Sequence, residues 1–393
     1  MLKLKGQRRM RMRRYLFTPG PVELSKKVEE ATKGQMISHR SREFSSLMSG
    51  LQLKLRKLLN VQEPVLLFPG SGTSALEALL VNLISRGDKV LSFSCGHFGE
   101  RFREIASRIG AVVLSFDKPY GEVFTKEEVV GAVNLYSDAS AILITHNETS
   151  TGAANPIEEI IEGLPADGPL VLVDAVSSIG AMPCYPEKWG VDGLATCSQK
   201  GLMAPPGIGI VWLSRRAWEK VRQNKTCPSY SMDFLLMRKY LEKELPQTPV
   251  TPPVSLFFAL DASLEEVEEE GGFLRRFEER KAYAQSLCKA VEDLGLELLV
   301  KNKPSRSCGV TAIRIPGKAE SVRKGLLEKG IEVAGGQGAL RNEIIRVGHY
   351  TREGLSELWD FIQALEETCK ELGVAVDKMS FGKIEELYTG RCR

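Results

Sequence analysis

Residues 65–83 read VLLFPGSGTSALEALLVNL. Four apolar residues stop at Pro69-Gly70, a small polar turn follows, and apolar residues then recur at helical spacing from Ala75. A strand passing through a glycine turn into a helix is half of a βαβ unit. The glycines let backbone amides approach an anion, and the helix N-terminus favours negative charge. Ser71, Gly72 and Thr73 are therefore candidates for holding a phosphate.

Outward from this stretch the same alternation repeats as far as residue 214. Short β-rich runs at 65–68, 89–94, 111–116, 141–146, 170–175, 194–198 and 209–213 are separated by helical patterns. Several runs, such as LVLV at 170–173, are continuously apolar, as strands covered by helices on both faces must be. This predicts an α/β fold with a seven-stranded, mainly parallel sheet in a large domain. TPVTPP at 248–253 withholds amide donors and fixes φ at its prolines, so no regular element crosses it. The large domain is accordingly expected over 15–253 and a smaller α+β domain over 254–393. The first residues of the large domain could also pack on the smaller one. The smaller domain opens with a long helical segment over 254–294, interrupted near Gly271-Gly272. Strands are expected near 296–300, 310–315 and 344–347, with helices at 321–329 and 352–372.

The chain has 393 residues, 43% hydrophobic and 26% charged, which describes a soluble globular protein too long for one ordinary core. Its net charge of +3 is small, and Lys3, Lys5, Arg8, Arg9, Arg11, Arg13 and Arg14 crowd a basic tail over residues 1–14. A basic tail on a near-neutral body does not make the continuous basic face that duplex binding needs, so no nucleic-acid partner is expected. No apolar run approaches the roughly 20 residues of a membrane span. The eight cysteines include no CxxC pair, and the four histidines form no HExxH. No disulfide framework and no metal site is expected, and the cytoplasm is the expected compartment.

Ligands in open α/β sheets sit outside the carboxyl ends of the strands. The chemistry-bearing residues fall at those ends. GSGTSA at 70–75 also matches the GxGxxG/A dinucleotide fingerprint, which wants an acid at the end of the next strand. The strand KVLSFS ends instead in Cys95-Gly96-His97-Phe98-Gly99, which argues against a nicotinamide cofactor. Phe98 there could stack on a planar heteroaromatic ring. HNETSTG at 146–152 is a polar cluster after AILIT, and Asp174 closes LVLVD, where a carboxylate is costly unless paired. Lys200 follows in the rigid turn SQKG, ahead of APPG. An anion loop, an aromatic, an acid and a lysine met in this order make the set that a pyridoxal-phosphate (PLP) enzyme needs.

PGSGTSALEA, THNETSTG, VDAVSSIG, SQKGLMAPPGIG and the late IIRVG together resemble the class V aminotransferases of PLP fold type I. The likeness is to the alanine–glyoxylate and serine–pyruvate branch. It runs from about Tyr15 to the last helices. It implies pyridoxal 5'-phosphate as cofactor, Lys200 as its Schiff-base partner and proton shuttle, and Asp174 on the pyridinium nitrogen. It further implies that Phe98 stacks on the ring, Thr149 binds the phenolic oxygen, Val176 lines the cofactor site, and Gln199 joins Ser71, Gly72 and Thr73 at the phosphate. In such enzymes a second subunit completes each site, which gives Thr251 a phosphate role across a homodimer interface. Arg346 resembles the clamp for a substrate α-carboxylate. Thr18-Pro19-Gly20-Pro21 matches the loop that brings backbone, at Gly20, against the substrate, with His39 and Arg40 nearby.

The activity so implied is ping-pong transfer of an amino group between a small amino acid, such as alanine or serine, and glyoxylate or pyruvate. Phosphoserine, aminoethylphosphonate or (S)-ureidoglycine transamination is the alternative within the family. A cysteine desulfurase would use Cys308 as nucleophile. That family typically has His before its lysine and His on the ring, where this chain has Gln199 and Phe98.

Overall fold

The computed structural model describes residues 15–224, 227–350 and 354–389. The basic tail 1–14 lies outside them, as does Arg352 at the expected start of the last long helix. In spatial order the large sheet runs Val65–Gly70, Gly207–Leu213, Gly193–Cys197, Leu170–Asp174, Ala141–Thr145, Lys89–Ser94, Val112–Asp117. Gly207–Leu213 is antiparallel to both neighbours, and the other strands run the same way.

The apolar runs are explained by what covers them. Along Ala141–Thr145 and Leu170–Asp174, Ile142, Ile144, Val171 and Val173 join one core cluster, with Phe44, Leu51 and Leu55 of the helix Arg42–Leu59. Leu143, Leu170 and Leu172 point the other way, against Leu76, Leu79 and Leu83 of the helix Gly72–Leu83. Alternate side chains of a strand face opposite sides of the sheet, so only a strand buried on both sides is apolar throughout.

A second sheet has the order Tyr15–Phe17, Ile331–Gly335, Ile344–Gly348, Val310–Arg314, Glu297–Leu298. Tyr15–Phe17 pairs in parallel with residues 331–333, so the first described strand is a partner of the small sheet. The strands Tyr15–Phe17 and Ile331–Gly335 and the helix Phe381–Thr389 have no counterpart in the sequence reading. Three residues carry no periodicity, and the partner of Tyr15–Phe17 is more than 300 residues away.

Proline density predicts an end to the large domain at residue 253. The next helix, Val254–Glu269, nevertheless buries Val254, Phe257, Leu260 and Leu264 in the core of the large sheet. Prolines stop a regular element but do not choose the core on which the next one packs. We therefore propose the division at Gly271-Gly272, ahead of the helix Gly272–Asp293, whose Tyr283, Leu287 and Val291 enter the core of the small sheet.

The connection out of Val65–Gly70 positions the site. That strand and Lys89–Ser94 lie on opposite sides of Leu170–Asp174 in the sheet. The helix Gly72–Leu83 joining them crosses the centre, so its N-terminus opens beside the carboxyl ends of the middle strands.

Candidate active site

A cavity of about 170 Å³ opens at those carboxyl ends. Gly20, Ser71, Gly72, Thr73, Phe98, Asp174, Val176, Gln199 and Lys200 line it, so nine residues expected from the sequence meet in one place. Backbone geometry demands one of the glycines and close packing the other. Gly20 has φ +110°, and a Cβ there would stand 2.5 Å from Lys200 Cδ. A Cβ on Gly72 would stand 2.7 Å from the Val176 methyls. The Ser71 hydroxyl is turned inward: it accepts from the Ser74 amide at 3.2 Å while the Ser74 hydroxyl accepts from the Ser71 amide, a reciprocal cap on the helix. Ser71 therefore shapes the start of the helix with its side chain, and Gln199 Oε1 is buried without a partner among the described residues.

Asp174 is 3% exposed, and its Oδ1 accepts one hydrogen bond, from the Val176 amide at 2.9 Å. Burial pushes its carboxyl up to about 7; the Val176 amide, Lys200 and Arg101 oppose this, and Glu148 adds to it. Lys200 follows the strand Gly193–Cys197, and its Nζ donates to the Pro19 carbonyl. Burial also depresses the Lys200 amine, with Arg346 and Arg101 adding to the effect and Cys197 and Asp174 opposing it. A buried acid and a buried amine, each pushed toward its neutral form in one cavity, is the arrangement of a proton-transfer site.

Phe98 stands in the first turn of the helix His97–Ile109. That turn is held by Glu148, which is fully buried and accepts from the amides of Phe98 and Gly99 at 3.1 and 3.0 Å and from the Ser150 amide at 2.9 Å. A carboxylate at a helix N-terminus satisfies orphan donors and complements the dipole. The next residue, Thr149, donates its hydroxyl to Ser177 Oγ at 2.7 Å, and its carbonyl accepts from Arg346 Nη1 at 3.1 Å. Arg346 Nε donates to the Gly335 carbonyl at 2.9 Å. The guanidinium is thus fixed from two sides, while Nη2 has no partner among the described residues and is available to a ligand.

Thr149 and Arg346 stand beside the cavity rather than in its lining. His39 is half-buried and Thr251 exposed, and neither reaches the cavity of its own chain. Arg40 is spent on its own surface, donating to the Thr248 carbonyl at 2.7 Å and the Gln247 side chain at 3.0 Å. Cys308 lies outside the cavity, and burial pushes its thiol up to about 11, the opposite of what a nucleophile needs. Pro21, from the expected substrate loop, lines the cavity too, and so do Arg101 and Leu76, which the sequence reading does not single out. Arg101 was within reach of sequence reasoning, since it follows Phe98 by three residues on one helix face.

These groups fit PLP by their own chemistry. Among the described residues one carboxylate oxygen of Asp174 is unengaged, burial biases a lysine amine toward its neutral form, and a helix N-terminus opens with small residues. The model of the aminotransferase class-V family matches residues 22–355. The chain belongs to the class V aminotransferases. An uncharacterized aminotransferase of Methanocaldococcus jannaschii is 36% identical over 93% of this chain and 95% of its own length. The alanine–glyoxylate aminotransferase of Oryctolagus cuniculus is 31% identical over 91% of this chain and 94% of its own. The crystal structure of an alanine–glyoxylate aminotransferase from Nostoc superposes with a TM-score of 0.85 at 34% identity, covering 93% of this chain and 97% of that one. The fold is PLP fold type I, and the chain is a PLP-dependent aminotransferase. Among the described residues no helix is long and apolar enough to cross a membrane.

Proposed function

We propose that this aminotransferase moves an amino group between a small amino acid, alanine or serine, and a small 2-oxo acid, glyoxylate or pyruvate. The observation that carries the reading is the meeting of Lys200 and Asp174 in one small cavity, with the half-engaged guanidinium of Arg346 close enough to act on the Lys200 amine. The names of the relatives from Oryctolagus cuniculus and Nostoc support the choice of substrates.

PLP, when bound, supplies an electron sink for charge developing at the substrate Cα. Asp174 would hold its ring nitrogen, Phe98 and Val176 its faces, Thr149 its phenolic oxygen, and the Ser71–Thr73 turn with Gln199 its phosphate. Lys200 Nζ, its pKa lowered by burial, takes the Cα proton and returns it, which requires an amine that is a base at working pH. Arg346 holds the α-carboxylate with the donors that Gly335 and Thr149 leave unused. The same proposal makes the enzyme a homodimer in which Thr251 and His39 serve the partner's site, since neither reaches the cavity of its own chain. The seven cysteines among the described residues are free, which suits the cytoplasm. Phosphoserine or aminoethylphosphonate transamination is the rival; a second anion on the substrate would need a second cation in reach.

A panel of amino donors against oxo-acid acceptors tests the reading. Alanine or serine with glyoxylate or pyruvate should give parallel double-reciprocal lines; intersecting lines, or turnover confined to phosphorylated donors, would refute it. Arg346→Lys keeps the charge but loses the planar fork. It should raise KM for amino acids by about ten- to hundredfold, while an amine without an α-carboxylate reacts as with the unaltered enzyme. Equal impairment of both substrates would remove Arg346 from the clamp.

A further inference from the structure

The turn assigned to the phosphate has no charge of its own. Ser71, Gly72, Thr73 and Gln199 are neutral, the Ser71 hydroxyl is committed to Ser74, and a helix N-terminus offers only about half a positive charge. A phosphate monoester carries roughly −1.5 to −2 near neutral pH. Besides Lys200, whose amine burial biases toward its neutral form, the cavity lining holds one cationic side chain, Arg101.

Three contacts hold Arg101 there. Nη1 donates to Thr73 Oγ1 at 3.4 Å, and Nη2 lies 3.3 Å from His97 Nε2. The guanidinium carbon sits 4.9 Å from the centroid of the Phe98 ring. Among the described residues it forms no ion pair. Its position in the helix His97–Ile109, three residues after Phe98, puts both side chains on one face, so successive parts of one helix present an aromatic ring and a cation to the same cavity.

We infer that Arg101 is a phosphate-binding residue, its guanidinium supplying the positive charge that the Ser71–Thr73 turn lacks and Thr73 and the Phe98 ring holding it in place. The assignment rests on the reading of this cavity as the PLP site. Its influence on Asp174 and Lys200, whose protonation it biases from the same cavity, agrees with a cation facing inward. A planar fork suits phosphate oxygens, and a desolvated site strengthens the pairing.

The test compares two ligands that differ only in the phosphate, PLP and pyridoxal, on the full chain freed of cofactor, with binding followed by absorbance. Arg101→Gln should weaken PLP by about ten- to hundredfold and leave pyridoxal within about twofold. Arg101→Lys, which keeps the charge, should lose less PLP affinity than the Gln variant and no pyridoxal affinity. Inorganic phosphate should raise the Tm of the unaltered cofactor-free chain and not that of Arg101→Gln. Unchanged PLP affinity in Arg101→Gln overturns the assignment, and equal loss of both ligands overturns it in favour of a brace for Phe98. An unaltered chain that binds neither ligand would instead sink the reading of the cavity itself.

Discussion

Lys200→Ala should lower turnover by about a thousandfold or more. The ε-amine is the basic side chain that the cavity lining pushes toward neutrality, and it has the Pro19 carbonyl as its acceptor, so no neighbour can take its place. Among the described residues no other amine lines the cavity. The loss should appear in single-turnover measurements with every amino donor, because the step removed is common to all. Borohydride treatment of the unaltered, PLP-saturated enzyme should leave a reduced adduct on the peptide containing Lys200 and none in the variant. A variant with normal turnover, or an adduct on another lysine, would remove Lys200 from the centre of the mechanism.

Asp174→Asn should stabilise the cofactor-free chain above pH 7 while crippling the enzyme. The folded-state carboxyl titrates at about 7 against 3.8 for an ordinary aspartate, so between those values the folded chain holds a proton that the unfolded chain has released. Stability from this group is therefore fully present below pH 3.8 and is lost as pH rises toward 7. About three pKa units correspond to an upper bound of about 4 kcal/mol. Asparagine carries no charge at any pH and escapes this loss. Urea unfolding of both cofactor-free proteins from pH 5 to 8 should show the variant gaining on the unaltered chain across that range. Parallel pH profiles would mean that Asp174 is not a strained buried acid. In the loaded enzyme the order should reverse, since only a carboxylate can hold a protonated ring nitrogen. The cavity thus gives up stability when empty for a charge that is useful when filled.

Much of the site was legible because its residues fall at strand ends, and strand ends show in the apolar runs. The placing of Asp174 after LVLV and of Lys200 after the run at 194–198 follows from the periodicity and the rule that such ends face the ligand, whereas their roles are what the family resemblance implies. The aromatic at Phe98 and the turn at Ser71–Thr73 were found the same way. What escaped notice acts through distant contacts. Glu148 reads as one more polar residue in HNETSTG, and only the folded chain sets it under the first turn of the helix that carries Phe98. The spacing of Arg101 puts it on the helix face of Phe98, but only the folded chain sets Thr73 and the cavity beside it. The half-engaged fork of Arg346 depends on carbonyls of Gly335 and Thr149, which come from separate parts of the chain.

The order of the large sheet's strands along the chain, the turn that opens Gly72–Leu83 and the placing of the candidate reacting groups at strand ends are local properties, written in hydrophobic period, glycine placement and side-chain chemistry. Which core claims the helix Val254–Glu269, why Tyr15–Phe17 belongs to a sheet built from residues some 300 positions away, and which protonation states the cavity favours were decided by packing. Burial and charge proximity are sums over neighbours brought together from the whole chain, and no stretch of residues contains them until the chain has folded.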